Sequence, residues 1–209
     1  MNTFESLISH NEKEFAAFKQ RPFFSLLKEQ NAMDDVQKNK FLNCVQVFSN
    51  EFQKILFARQ ATCVNDKFSP TFARHLSEEL GHDEMLAQRK QEIIIENDSI
   101  LKASSSWFVL QMFIRDNIEK TVLVHLVLEL SGDFYHDLAK NIFNEEVSSE
   151  YFNIHAELDE FHANMGVDLL DELNANDYQY LHEVSSQGWQ MLKVMIDRTY
   201  QLVMEPGNG

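Results

Sequence analysis

His155-Ala156-Glu157-Leu158-Asp159-Glu160-Phe161-His162 has the form H-x3-D-x2-H. On a helix each residue turns by about 100°, so His155, Asp159 and His162 fall within an arc of roughly 60°. Two imidazoles and a carboxylate on one face make a set of transition-metal ligands. Tyr151, Ile154, Leu158, Phe161 and Met165 form an apolar stripe at helical spacing beside that arc. The ligand face therefore borders the interior of a helical bundle. The competing reading is a row of satisfied polar residues at a core edge.

The chain has 209 residues, 44% of them hydrophobic and 17 of them Phe, enough to bury one full core and too apolar for a disordered chain. The formal net charge is −15. Nucleic acid and anionic membrane surfaces both need a basic face, so neither is an expected partner. No apolar run approaches the roughly 18 residues of a membrane span. The start, MNTFESLISHNEKEF, lacks the basic residues and continuous apolar stretch of a signal peptide. Cys44 and Cys63 form no disulfide framework and read as reduced thiols, so the expected location is cytoplasmic.

Helical patterns run almost end to end. Three prolines occur, and Gly81, Gly132, Gly166 and Gly188 lie inside helix-like patterns. No Asn-Gly or Asp-Gly hairpin signal separates alternating strands. Helices are expected over about 4–18 and 34–62, with Phe23–Leu27 as an apolar plug between them. Ser69-Pro70 opens a helix to about 90. Asn97–Ser99 marks a break, and Ala103–Ser106 a small-residue loop or helix start. Helices follow over about 105–116, 117–143 and 147–173, then from Asn176 or Asp177 to about 203, with a frayed tail over 205–209. The expectation is one all-α domain of about seven helices.

Two further stretches carry ligand-type residues. In His75-Leu76-Ser77-Glu78-Glu79-Leu80-Gly81-His82, Glu79 and His82 stand at i,i+3 and Glu78 and His82 at i,i+4. A Glu-x-x-His pair on one helix recurs in carboxylate di-iron sites of bundles. Glu79 shares an arc with Phe72, Leu76 and Leu86 and so faces inward; Glu78 lies nearer Arg74. His75 is a weaker candidate two turns back. The other stretch, 121–130, is apolar nearly all round except His125 and Glu129. A carboxylate there must be paired or bound to a cation. The bland reading is a Glu–His hydrogen bond locking two helices. Asp133 and His136 continue that face as outer partners.

Together Glu79 (or Glu78), His82, Glu129, His155, Asp159 and His162 give three carboxylates and three imidazoles. That mix suits iron or manganese better than structural zinc, magnesium or calcium. Six ligands suit two ions sharing a carboxylate. With His75 and His125 as further candidates, the expected cofactor is two Fe ions, with Mn as the alternative.

Three stretches resemble the heme-oxygenase-like di-iron oxidases, the iron-containing redox enzymes of the TenA/PqqC-like superfamily. They are Glu78-Glu79-Leu80-Gly81-His82-Asp83-Glu84-Met85-Leu86, Glu129 in its hydrophobic helix, and His155-x3-Asp159-x2-His162. Arg21-Pro22-Phe23-Phe24-Ser25-Leu26-Leu27 is similar to the family's N-terminal segment. The resemblance spans roughly 15–200. It implies a seven-helix heme-oxygenase-like (TenA-like) bundle and a non-heme di-iron site that activates O2. It also implies an O2-dependent oxidoreductase acting on a small amino-acid- or fatty-acid-like substrate. Fold analogy adds a homodimer. In many members Glu and His stand about two helical turns apart; here the spacing is shorter, which leaves Glu78 and Glu79 as alternatives. Competing readings are a metal-free TenA/PqqC-like enzyme, which in its TenA form needs a nucleophilic Cys; a heme oxygenase with His10 as proximal ligand; and a non-catalytic metal-binding or interaction protein.

Overall fold

A computed structural model describes residues 3–29, 32–87, 98–143, 149–171 and 173–206; of residues 149 and 157–160 it describes the backbone alone. The helices are α1 (Phe4–Phe18), α2 (Pro22–Lys28), α3 (Asp35–Ala61), α4 (Ser69–Glu79), α5 (His82–Ala87), α6 (Ser99–Ile114), α7 (Asn117–Thr121), α8 (Leu130–Ala139), α9 (Ser149–Asn164) and α10 (Ala175–Met204). A π-helical stretch, Val122–Glu129, joins α7 to α8, and a 3-10 turn, Val167–Leu170, follows α9. Among the described residues there is no strand, and the architecture is the expected all-α bundle. Among the described residues, with α7, the π stretch and α8 counted as one, these make nine helical runs; the two beyond the expected seven are α2, expected only as a plug, and α5.

Helix starts follow local chemistry. Thr3, Asp34, Asp116 and Asn174 each accept from the third helical residue and receive a bond back, forming capping boxes. Pro22 and Pro70 sit in first turns, where a missing N–H costs nothing. α1 is stitched along α10. Asn11 donates to the Leu126 carbonyl at 2.8 Å and accepts from Ser185 at 2.9 Å and Trp189 at 2.7 Å. Lys193 pairs with Glu14, and Arg21 with Asp197. One buried amide thus ties α1, the π stretch and α10 together through three hydrogen bonds.

Three expectations need correction. The helix opened by Ser69-Pro70 does not run on: it stops at Glu79, and α5 starts at His82. Gly81 adopts φ 91°, the left-handed region that glycine enters without strain. Gln53 of α3 catches the freed Glu79 carbonyl at 2.6 Å, so the break costs no buried acceptor. The pattern's continuation over 88–97 lies outside the described residues. Second, Ala103–Ser106 is neither a loop nor a helix start; α6, capped by Asp98, opens at Ser99 and runs through it, with the Ser104 and Ser105 hydroxyls turned back onto the Ile100 and Leu101 carbonyls. Third, the 147–173 helix ends at Asn164, because Gly166 takes φ 74° and turns the chain. Gly188 does lie mid-helix, and a Cβ there would stand 2.9 Å from Leu123 Cδ2 and 3.2 Å from Val127 Cγ1. Only hydrogen lets α10 lie this close to the π stretch.

Candidate metal centre

Glu79 ends α4 inside the bundle, and the break at Leu80-Gly81 folds His82 back towards it. α9 supplies His155 and His162 from one face, as their spacing predicts. The π stretch supplies His125 and Glu129, both buried. π turns of this kind re-aim side chains and recur at functional sites. The two oxygens of Glu79 face different imidazoles. Oε1 lies 3.1 Å from His162 Nδ1. Oε2 lies 3.1 Å from His82 Nδ1 and 3.7 Å from His155 Nε2. Glu129 Oε2 lies 3.7 Å from His162 Nδ1. Two triads of ligand atoms therefore share Glu79: with His82 and His155 on one side, and with His75 and His162 on the other.

The other ring nitrogens show which lone pairs are available. His155 Nδ1 faces the Tyr151 carbonyl at 2.7 Å, and an N–H is the only match for that oxygen. Nε2 then carries the lone pair towards Glu79. His162 Nε2 faces Glu78 Oε2 at 3.2 Å, the carboxylate–histidine pairing that orients metal ligands. Its Nδ1 points at Glu79 and Glu129. Glu78 binds Arg74 through its other oxygen at 2.9 Å, so it stands one layer outside Glu79.

Arg59 fixes the remaining rings in the opposite sense. It is fully buried on α3, with its guanidinium 4.4 Å above the Phe72 ring. It donates to His75 Nδ1 at 2.9 Å and His125 Nε2 at 3.1 Å. A guanidinium never accepts. Both nitrogens must therefore be acceptors, and the protons lie on His125 Nδ1, which donates to the His162 carbonyl at 2.8 Å, and on His75 Nε2. His75 Nε2 stands 3.0 Å from Glu129 Oε1. While Arg59 holds its Nδ1, His75 offers a proton at the site's edge and no lone pair, although proximity alone groups it with Glu79 and His162. Burial, reinforced by Arg59, holds His75 and His125 well below the usual histidine range.

The electrostatics ask for a cation. Glu79 is 1% exposed and Glu129 3%. Burial alone would raise the Glu79 carboxyl, but hydrogen bonding to His155, His162 and His82 pulls it well below the usual carboxylate range. Yet Glu79 Oε1, buried 3.1 Å from His162 Nδ1, has no hydrogen bond of good geometry. With the far nitrogens of His155 and His162 committed to acceptors, a proton or a metal ion must lie between each near nitrogen and the Glu79 carboxylate. The donor set of imidazole and carboxylate fits iron or manganese.

Of the residues singled out from sequence, Glu79, His82, Glu129, His155 and His162 converge here. The side chain of Asp159 lies outside the described residues. Glu78 is an outer partner, His125 and His75 both contact Arg59, and His75 also lies within ligand reach of Glu79 and His162. The His136 ring packs at a tilt against His155 with ring centroids 4.7 Å apart. His10, the alternative heme ligand, binds Ser186 at 2.8 Å and stacks on His182 between α1 and α10. Arg59 escaped the sequence reading; the only signal was its place after Ile55 and Leu56, on the buried side of α3.

No protein-family model matches the chain. Two solved structures share its fold: a TenA homologue from Pyrococcus furiosus (TM-score 0.74, 16% identity, 94% of this chain and 98% of that one) and a TenA homolog from Pseudomonas syringae pv. tomato (TM-score 0.75, 12% identity, 94% and 92%). An uncharacterized protein of Rickettsia prowazekii is 33% identical over 208 residues, spanning 100% of both chains. The fold is the TenA-like all-α fold, and the chain belongs to the family of that rickettsial protein.

Proposed function

We propose that the protein is an O2-activating di-iron oxidoreductase of the cytoplasm, acting on a small molecule. Glu79 would be shared between two ions, with His82 and His155 holding one and His162 and Glu129 the other, and the sequence motif would add Asp159; manganese is the alternative metal. The carrying observation is the pair of Glu79 oxygens, each turned to a different imidazole. Bound ferrous ions would supply the electrons that reduce O2. The chain's own residues orient and insulate them. Tyr151 and Glu78 lock the ligand rings, the two buried carboxylates balance charge, and Arg59 keeps His75 as a hydrogen-bond donor beside Glu129. The buried Val122, Leu123, Val127 and Phe152 help keep bulk water away.

The shared fold with TenA homologues favours a second reading, a metal-free enzyme with a nucleophilic cysteine. Burial pushes the Cys44 thiol up to about 12, which leaves almost no thiolate near neutral pH. Cys63 donates to the Val64 carbonyl at 3.2 Å, outside the histidine–carboxylate cluster. Protein loaded anaerobically with Fe(II) is expected to consume O2 when exposed to it. His155→Ala is expected to abolish that uptake while far-UV circular dichroism stays helical. Full uptake by His155→Ala would sink the proposal, and iron bound without any uptake would favour a non-catalytic metal-binding protein.

A further inference from the structure

Beside the metal centre, between α3, α6, α8 and α10, lies a cavity of about 60 Å³. Phe18, Phe48, Leu101 and Leu192 make its apolar wall. Tyr135, His136 and Tyr151 also line it. The His136 and Tyr151 rings rest on His155 at centroid distances of 4.7 and 4.1 Å, so the cavity is one ring removed from a proposed ligand. No carboxylate, ammonium or guanidinium lines it among the described residues. A zwitterionic or anionic group placed there would lose its hydration with no countercharge in return.

The polar atoms in the wall are mostly committed. The Ser131 hydroxyl donates to the Leu128 carbonyl at 2.8 Å and the Thr199 hydroxyl to the Met195 carbonyl at 3.0 Å. Among the described residues none hydrogen-bonds to the Tyr135 hydroxyl. Its electrostatic neighbours are Cys44 and Tyr151, both in the cavity wall. A tyrosine hydroxyl set in an apolar chamber is a site for one hydrogen bond.

We infer that this cavity is a binding site for a small, uncharged, largely apolar organic molecule, with Tyr135 hydrogen-bonding its one polar group and His136 and Tyr151 holding it against the metal centre. This rests on the proposed function only in making that molecule the oxidase's substrate. Binding itself needs no metal. It narrows the substrate from amino-acid- or fatty-acid-like compounds to molecules whose buried part carries no charge.

Toluene, phenol and benzoate, similar in shape and different in polarity, test it on metal-free protein, read by NMR of the Met195 and Ile196 methyl groups in the wall. Toluene and phenol are expected to shift both methyls and benzoate neither. Tyr135→Phe, which removes one atom and leaves the packing, should weaken phenol by about fivefold and leave toluene unchanged. The inference is overturned if toluene and phenol leave the methyls unmoved, if benzoate moves them as phenol does, or if Tyr135→Phe binds phenol as before. Anaerobic Fe(II) titration of the same sample separates the two proposals. Probe binding without iron uptake keeps the cavity's assignment and removes the oxidase; iron uptake without probe binding does the reverse.

Discussion

Glu79→Gln is expected to abolish iron binding at both positions, lowering Fe(II) affinity by at least about a hundredfold, beyond the tenfold to hundredfold typical of changes outside the ligand shell. The reason is geometric. Both proposed ion positions use this one carboxylate, Oε1 towards His162 and Oε2 towards His82 and His155. An amide keeps the shape but loses the charge and one acceptor, and its NH2 would point at an imidazole lone pair. Glu78→Gln is the contrasting variant. Glu78 touches His162 only on the outer nitrogen, at 3.2 Å, so that variant should lose about tenfold and keep both irons at saturating metal. Iron per chain after anaerobic loading and gel filtration reads both. Two irons retained by Glu79→Gln would remove the bridge.

The metal-free protein should lose stability steeply as pH falls below about 6.5, the ordinary histidine value. His75 and His125 are buried, and their folded-state values lie well below that, from burial first and then from the Arg59 charge. The unfolded chain therefore takes up two protons that the folded chain does not. Stability is fully present above pH 6.5 and declines as pH falls from there towards the depressed folded values. Each proton contributes about 1.4 kcal/mol per pH unit, so two give up to about 2.7 over the steepest part. His125→Gln should reduce the slope by about half. Urea midpoints measured from pH 7.5 to 5 check this; a flat profile would mean that both rings accept protons in place, and the tautomers assigned through Arg59 would be wrong.

The bundle was legible because apolar residues recur at helical spacing and because Ser69-Pro70 is an ordinary helix start; the last helix is capped by Asn174, ahead of the expected start at Asn176 or Asp177. What sequence obscured has physical causes. Gly81 sits in a charged run where a tolerated helical glycine and a left-handed turn look the same. The nearly uniform apolar stretch Val122–Leu128 has no periodicity to distinguish α from π. His155 and His162 were readable from spacing on one helix. The inward face of Glu79 and the pairing of Glu78 with Arg74 were readable too, but the Glu78 contact to His162 was not, because it depends on how α9 lies beside α4. His75 and His125 looked like ligands by type. They are acceptors for Arg59, whose burial depends on contacts from α4 and the π stretch that no local pattern around Ala58-Arg59-Gln60 announces.

Anomalous diffraction at the iron edge from crystals loaded anaerobically with Fe(II) tests the central claim most directly. Two peaks are expected astride Glu79, roughly 3.5–4 Å apart, one against His82 and His155 and the other against His162 and Glu129. A single peak away from Glu79, or none at saturating iron, would contradict the shared-carboxylate centre and the oxygen chemistry built on it.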